Sequence, residues 1–201
     1  MLENGQLVLA SGNAGKRREL RHQLGPLNIE VRLQADFDVE EVDETGLTFV
    51  ENALLKAREA SRVSGLPALA DDSGLVVDAL GGRPGIYSAR YAGEQADSAD
   101  NNAKLLVELD GLPPSQRAAH FHCSLVLLAH PDDPDPLIAQ GRWHGRILEK
   151  ATGDGGFGYD PLFFDPVLGI AAAEMSLDEK ARVSHRGLAL NNLIGQLQQG
   201  D

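Results

Sequence analysis

The tightest constraint on this chain lies near its start. The apolar run Leu7-Val8-Leu9-Ala10 breaks into Ser11-Gly12-Asn13-Ala14-Gly15-Lys16, and a helical pattern follows from Arg17 to Leu24. Leu7 to Ser11 and Ile29 to Leu33 read as strands flanking that helix, which is the opening of a βαβ unit. A strand that turns through glycines into a helix leaves first-turn N–H groups free, and the helix dipole adds partial positive charge there. Such a turn is a ready anion site, and Lys16 adds a full charge beside it. The ordinary alternative is a tight connection with a surface lysine. It is not a Walker A loop, because Gly12 and Gly15 are only three apart and Arg17 stands where Ser or Thr is required.

Further along, Thr48 to Glu51 has capping-box form, and Val50, Ala53, Leu54, Ala57 and Ala60 recur at helical spacing behind it. This predicts a helix from about 49 to 64, stopped by Gly65 and Pro67. Ala68 to Ala70 reads as a short strand ending at Asp71-Asp72-Ser73-Gly74, with extended structure resuming over Leu75 to Val77. Ser98 to Leu109 is a predicted helix. Phe121 to Ala129 and Leu137 to Leu148 are predicted strands joined by the turn-rich Pro131 to Pro136, as an antiparallel pair. A glycine loop, Gly153 to Pro161, precedes a short strand over Leu162 to Phe164. Ser176 to Glu179 is a second capping box, and Leu188, Leu193, Ile194 and Leu197 give the last helix its apolar face. The pattern is α/β with a mixed sheet and flanking helices, one domain over residues 1–201 formed as two lobes around a central cleft.

Composition narrows the partners. A net charge of −12 argues against nucleic acid or an anionic membrane. An acidic protein that binds a polyanion must gather its cations in one place or bring a metal. The single cysteine, Cys123, excludes an internal disulfide, suits a reducing compartment, and sits in an apolar run as a buried structural thiol. Met1 to Gln6 is polar, without the basic n-region of a signal peptide, and the longest apolar runs fall short of a bilayer span. The expectation is a cytoplasmic protein.

Three groups of residues carry possible chemistry. Glu40, Glu41, Asp43 and Glu44 crowd a loop and Asp71-Asp72 end a strand, offering the hard oxygens that Mg²⁺ prefers. Successive strand side chains point to opposite faces, so one aspartate faces the groove while the other pairs elsewhere. In the glycine loop, Phe157 and Tyr159 present flat rings for stacking on a base, backbone N–H groups come close to a ligand, and Asp160 accepts hydrogen bonds. Lys180 and Arg186 supply a point charge and a planar fork near Ser184 and His185. His120 and His122 alternate on one strand face, a structural pattern.

The succession SGNAGK, ETGLTFVENALLKA, ADDSGL, GGRPGIYSARYAG, FHCSLVLL, GGFGYDPLF and EKARVSHRG closely resembles the non-canonical purine nucleoside triphosphate pyrophosphatases, the inosine/xanthosine triphosphatase family, from about residue 7 to 195. The resemblance implies cleavage of dITP, ITP and XTP to the monophosphate and pyrophosphate with Mg²⁺. It also implies a homodimer, and an elongated mixed α/β fold of two lobes around a cleft. It implies that Ser11, Gly12, Asn13, Ala14, Gly15 and Lys16 contact the phosphates, with Lys56 nearby. Asp72 is then the catalytic acidic residue, Ser73 touches substrate, and Asp72 with Glu44, or its neighbour Asp43, forms the metal site. Phe157, Gly158, Tyr159 and Asp160 are expected to cradle base and sugar, and Lys180, His185 and Arg186 to complete the purine pocket. Two rivals are a pyrophosphatase for modified pyrimidine triphosphates and a nucleotide sensor without turnover; intact Asp72, Lys16 and the acidic loop speak against the sensor.

Overall fold

The computed structural model describes residues 5–25 and 29–199. Its seven strands form one mixed sheet in the order β2-β1-β3-β4-β5-β6-β7, with β1 Gln6–Ala10, β2 Glu30–Leu33, β3 Ala68–Val77, β4 Ala118–Leu128, β5 Leu137–Ile147, β6 Phe163–Asp165 and β7 Ile170–Ala171. β1 runs parallel to both β2 and β3, whereas β6 is antiparallel to β5 and β7. The helices are α1 Ala14–Leu24, α2 Phe49–Ser64, α3 Ser98–Glu108, α4 Leu177–Val183 and α5 His185–Gln199. No helix among the described residues is long and apolar enough to cross a membrane.

The chain divides into two compact units. The first comprises residues 1–72, 123–141 and 185–201. Its part of the sheet is covered on both faces, as alternation along each strand requires. Leu7, Leu9, Leu69 and Leu125 pack with Leu20 and Leu24 of α1 and with Leu190 and Leu193 of α5. The intervening positions Val8, Ala10, Ala68, Ala70 and Val126 pack on Ala53, Ala57 and Ala60 of α2. Small side chains on both surfaces bring α2 close to the strands. Gly141 does the same for α5, since a Cβ there would stand 2.1 Å from the His185 carbonyl oxygen.

The second unit comprises residues 73–122 and 142–184. One core holds it, in which Phe121, Trp143 and Phe163 interlock with ring centroids 4.6 to 6.1 Å apart. Such ring pairs contribute beyond their buried area.

Both capping boxes form: Thr48 and Ser176 accept from the N–H of Glu51 and Glu179, whose carboxylates reach back to the cap. β3 departs from expectation. It is one ten-residue strand rather than two short ones flanking an Asp-Asp-Ser-Gly turn. A polar run ends a strand only where water must satisfy it, and here protein cations satisfy both aspartates inside the sheet. Asp133 closes the turn between β4 and β5 by accepting from the N–H groups of Ala129 and Asp135.

Candidate active site

The first unit assembles a charged site around three sequence-distant segments. At the start of α1 the Asn13 side chain accepts from the Lys16 N–H at 3.0 Å, a regular N-cap. Gly12 lies against the acidic loop, and a Cβ there would come 2.7 Å from Glu41 Oε1. Lys16 Nζ reaches back to Asp71 Oδ2 at 3.1 Å.

Strand alternation separates the two aspartates as anticipated. Asp71 shares the face of Leu69 and points between α1 and α5. There its Oδ2 lies 3.1 Å from Lys16 Nζ and 3.2 Å from Arg186 Nη2, and the other arm of that guanidinium holds Glu19 of α1. Asp72 shares the face of Ala70 and points at α2. Its Oδ1 lies 3.2 Å from Lys56 Nζ, its Oδ2 accepts from Asn52 Nδ2 at 3.3 Å, and Lys56 also holds Glu44 at 2.8 Å.

The surroundings of the two carboxylates differ. Asp71 meets the cations Lys16 and Arg186 directly, whereas Asp72 meets Lys56, which it shares with Glu44. Their proton affinities differ as well. Burial alone would raise the Asp71 pKa, but Lys16, Arg186 and Lys56 together outweigh it and hold the group well below the ordinary carboxylate range. For Asp72 burial wins: Lys56 and Lys16 pull down, Glu44 and Asp71 push up, and the pKa stands above its ordinary value. Burial lowers the Lys56 pKa, yet Asp72, Asp71 and Glu44 raise it overall, so Lys56 stays charged.

Among the described residues no cluster of three or more His, Cys, Asp and Glu forms a complete metal cage. Mg²⁺ needs none, because one or two carboxylates plus substrate phosphates satisfy it. Asp72 and Glu44 fit that requirement by their oxygen chemistry. Of the two neighbours in the loop, Glu44 reaches Lys56 while Asp43 is exposed.

The second unit contains the glycine loop, and its side chains differ from the expected base cradle. The Asp160 carboxylate is buried, accepts the Phe157 N–H at 2.8 Å and pairs with Lys180 Nζ at 2.5 Å. Gly156 is glycine for this reason: its φ is +74° and a Cβ would stand 2.2 Å from Asp160 Oδ2. Close approach in this loop therefore serves the loop's own carboxylate. Tyr159 is a core residue whose hydroxyl donates to the Ser88 carbonyl at 2.8 Å. Asn102 of α3 donates to the Gly158 carbonyl at 3.0 Å. Phe157 and Gly158 remain partly exposed, and Lys180 Nζ lies 5.8 Å from the Phe157 ring centroid.

Arg186 belongs to the first unit, where it is 1% exposed and its donor fork holds Asp71 and Glu19. His185, the first residue of α5, is buried beside it in sequence, and Ser73 is half-buried on β3. Asn52 and Glu19 escaped the sequence reading. A signal for Asn52 existed: it precedes Lys56 by one helical turn, so both lie on one face of α2. Glu19 had none, because its partner is 167 positions away.

Known proteins show the same chain throughout. The family model described as the Ham1 family matches residues 7–196. The dITP/XTP pyrophosphatase of Erwinia tasmaniensis is 58% identical, covering 97% of this chain and 95% of that protein. The protein of that name from Xanthomonas axonopodis pv. citri is 60% identical over 96% of each. The solved structure of a HAM1 protein from Coxiella burnetii matches with a TM-score of 0.88 at 46% identity, covering 96% of this chain and 98% of that one.

Proposed function

The chain belongs to the Ham1 family, and from that membership we infer that it hydrolyses non-canonical purine nucleoside triphosphates (dITP, ITP, XTP) to the monophosphate and pyrophosphate. The observation that carries this reading is the Asp72–Lys56–Glu44 set, two carboxylates drawn together by one lysine in the same unit as a lysine-bearing helix start.

The residues divide the work as follows. The N–H groups at the start of α1 and the Lys16 ammonium take phosphate oxygens of the triphosphate tail. Lys56 holds Asp72 and Glu44 at fixed spacing and adds positive charge where the transferring phosphoryl oxygens carry negative charge. Asp72 orients the attacking water and takes its proton. Attack runs in line at the α-phosphorus, with pyrophosphate leaving. Mg²⁺ is the proposed cofactor, with Asp72 and Glu44 as its protein ligands; when bound it neutralises phosphate charge and polarises phosphoryl oxygens.

Base choice follows from the donor and acceptor pattern at position 6 of the purine. Hypoxanthine and xanthine carry a 6-oxo acceptor where adenine carries a 6-amino donor. Donors aimed at position 6 are left unpaired against adenine, a mismatch worth orders of magnitude. We further propose a cytoplasmic location, in keeping with the lone buried thiol, and a homodimer, as the resemblance to the family implies.

The test is product analysis with dITP, XTP, dATP, dGTP and a modified pyrimidine triphosphate in ¹⁸O-water. The reading expects pyrophosphate and ¹⁸O in the purine monophosphate, dependent on Mg²⁺. Release of orthophosphate, or preference for the pyrimidine, retires it.

A further inference from the structure

Asn52 is fully buried on α2 yet polar, and both ends of its amide are committed to the site. Its Oδ1 accepts the Gly46 N–H at 2.8 Å, two residues beyond Glu44 in the acidic loop. Its Nδ2 donates to Asp72 Oδ2 at 3.3 Å. The loop lies so tightly on this side chain that a Cβ on Gly46 would stand 2.7 Å from Asn52 Oδ1 and 2.6 Å from Glu51 Cβ. A buried amide is costly unless satisfied at both ends, so its two bonds define one geometry. Lys56, one turn along α2, joins the same two carboxylates from their other side.

We propose that Asn52 is a positioning residue that fixes the separation of Glu44 and Asp72, and thereby sets the affinity of the site for a divalent cation. The proposal rests on the functional reading given above, yet it concerns a property measurable without substrate. An amide suits this place better than a carboxylate or a hydroxyl. It offers a donor to one partner and an acceptor to the other, and it adds no charge beside the two carboxylates. Residues that orient metal ligands through hydrogen bonds typically alter affinity or activity 10–100-fold when lost.

The experiment titrates Mg²⁺ into wild type, Asn52→Ala, Gly46→Ala and Asn101→Ala, following both the melting temperature without substrate and pyrophosphate release from dITP. Asn101 is a comparably buried asparagine bonded to backbone at Ala92 and Ala89, so its loss costs stability alone. Asn52→Ala and Gly46→Ala, which cut the same connection from opposite sides, are expected to raise the half-saturating Mg²⁺ concentration about 10–100-fold in both assays, while Asn101→Ala keeps the wild-type value. Should Asn52→Ala fail to fold, Gly46→Ala carries the comparison. Wild-type Mg²⁺ dependence in the folded Asn52 or Gly46 variant, or an equal shift in Asn101→Ala, overturns the proposal. A wild-type protein that is stabilised by Mg²⁺ but inert to dITP retires the functional reading instead, and leaves the melting comparison to judge Asn52.

Discussion

Asp71 and Asp72 are chemically identical neighbours on one strand, and the two faces of β3 treat them in opposite ways. On the α1/α5 face Asp71 is enclosed by Lys16 and Arg186 and is held ionised. On the α2 face Asp72 shares one lysine with Glu44, and burial disfavours its charged form. A carboxylate held by two cations behaves as a structural joint. One whose charged form is disfavoured carries a local cost in stability. Protein chemistry at this strand is decided by which helix lies over each carboxylate.

The comparison can be broken most forcefully on its closed face. Asp71→Asn leaves Lys16 and Arg186 without their shared anion, and breaking a buried pair in this way costs about 3–5 kcal/mol. Chemical denaturation measures it. The same variant should expose Cys123, on that side of the sheet. Burial pushes its thiol up to about 12 and shuts out the reagent, so native alkylation at pH 8 is far slower than for an exposed cysteine. Rapid iodoacetamide labelling of Asp71→Asn, against protection in wild type, marks opening of the face; protection in both means the joint survives.

Arg186→Ala acts on the same joint and is expected to lower stability by a similar amount, with activity on dITP and residual dATP turnover falling in equal proportion. A loss confined to dITP would return Arg186 to the base-reading role that the sequence suggested.

On the open face the signs reverse. Asp72→Asn should lower kcat about 10²–10³-fold. Its melting temperature should hold or rise, because a carboxylate whose folded pKa is raised costs stability when ionised at neutral pH. A large drop in melting temperature would show that Asp72 is a joint as well.

The smallest effect separates neighbours in the acidic loop. Glu44→Gln is expected to raise the Mg²⁺ requirement about tenfold, at the low end of what a ligating group contributes. The exposed Asp43→Asn should change it less than twofold. Equal effects would mean that the loop acts through bulk charge alone.

Much of this was legible without coordinates. Helix α2 and its caps followed from Thr48, Glu51 and the alanine spacing, and the turn into α1 from Gly12, Asn13 and Gly15, because these signals act within a few residues of themselves. The opposite facing of Asp71 and Asp72 followed from strand period alone. The continuity of β3 was not legible, since the cations that let carboxylates run through a strand come from positions 16, 56 and 186. Nor was the role of the loop glycines: Gly156 looked like room for a ligand, and the group occupying that room is Asp160.

The linear order of residues by itself determined the α/β alternation, the anion-ready helix start and the stock of carboxylates and cations, because periodicity, capping and charge are properties of neighbours along the chain. Only the tertiary structure decided which charges pair. It gave Arg186 to Asp71 and Glu19, and tied Glu44 to Asp72 through Lys56 and Asn52. Electrostatic partnership depends on distances of a few ångströms and on exclusion of water, and both arise only once remote segments are packed together.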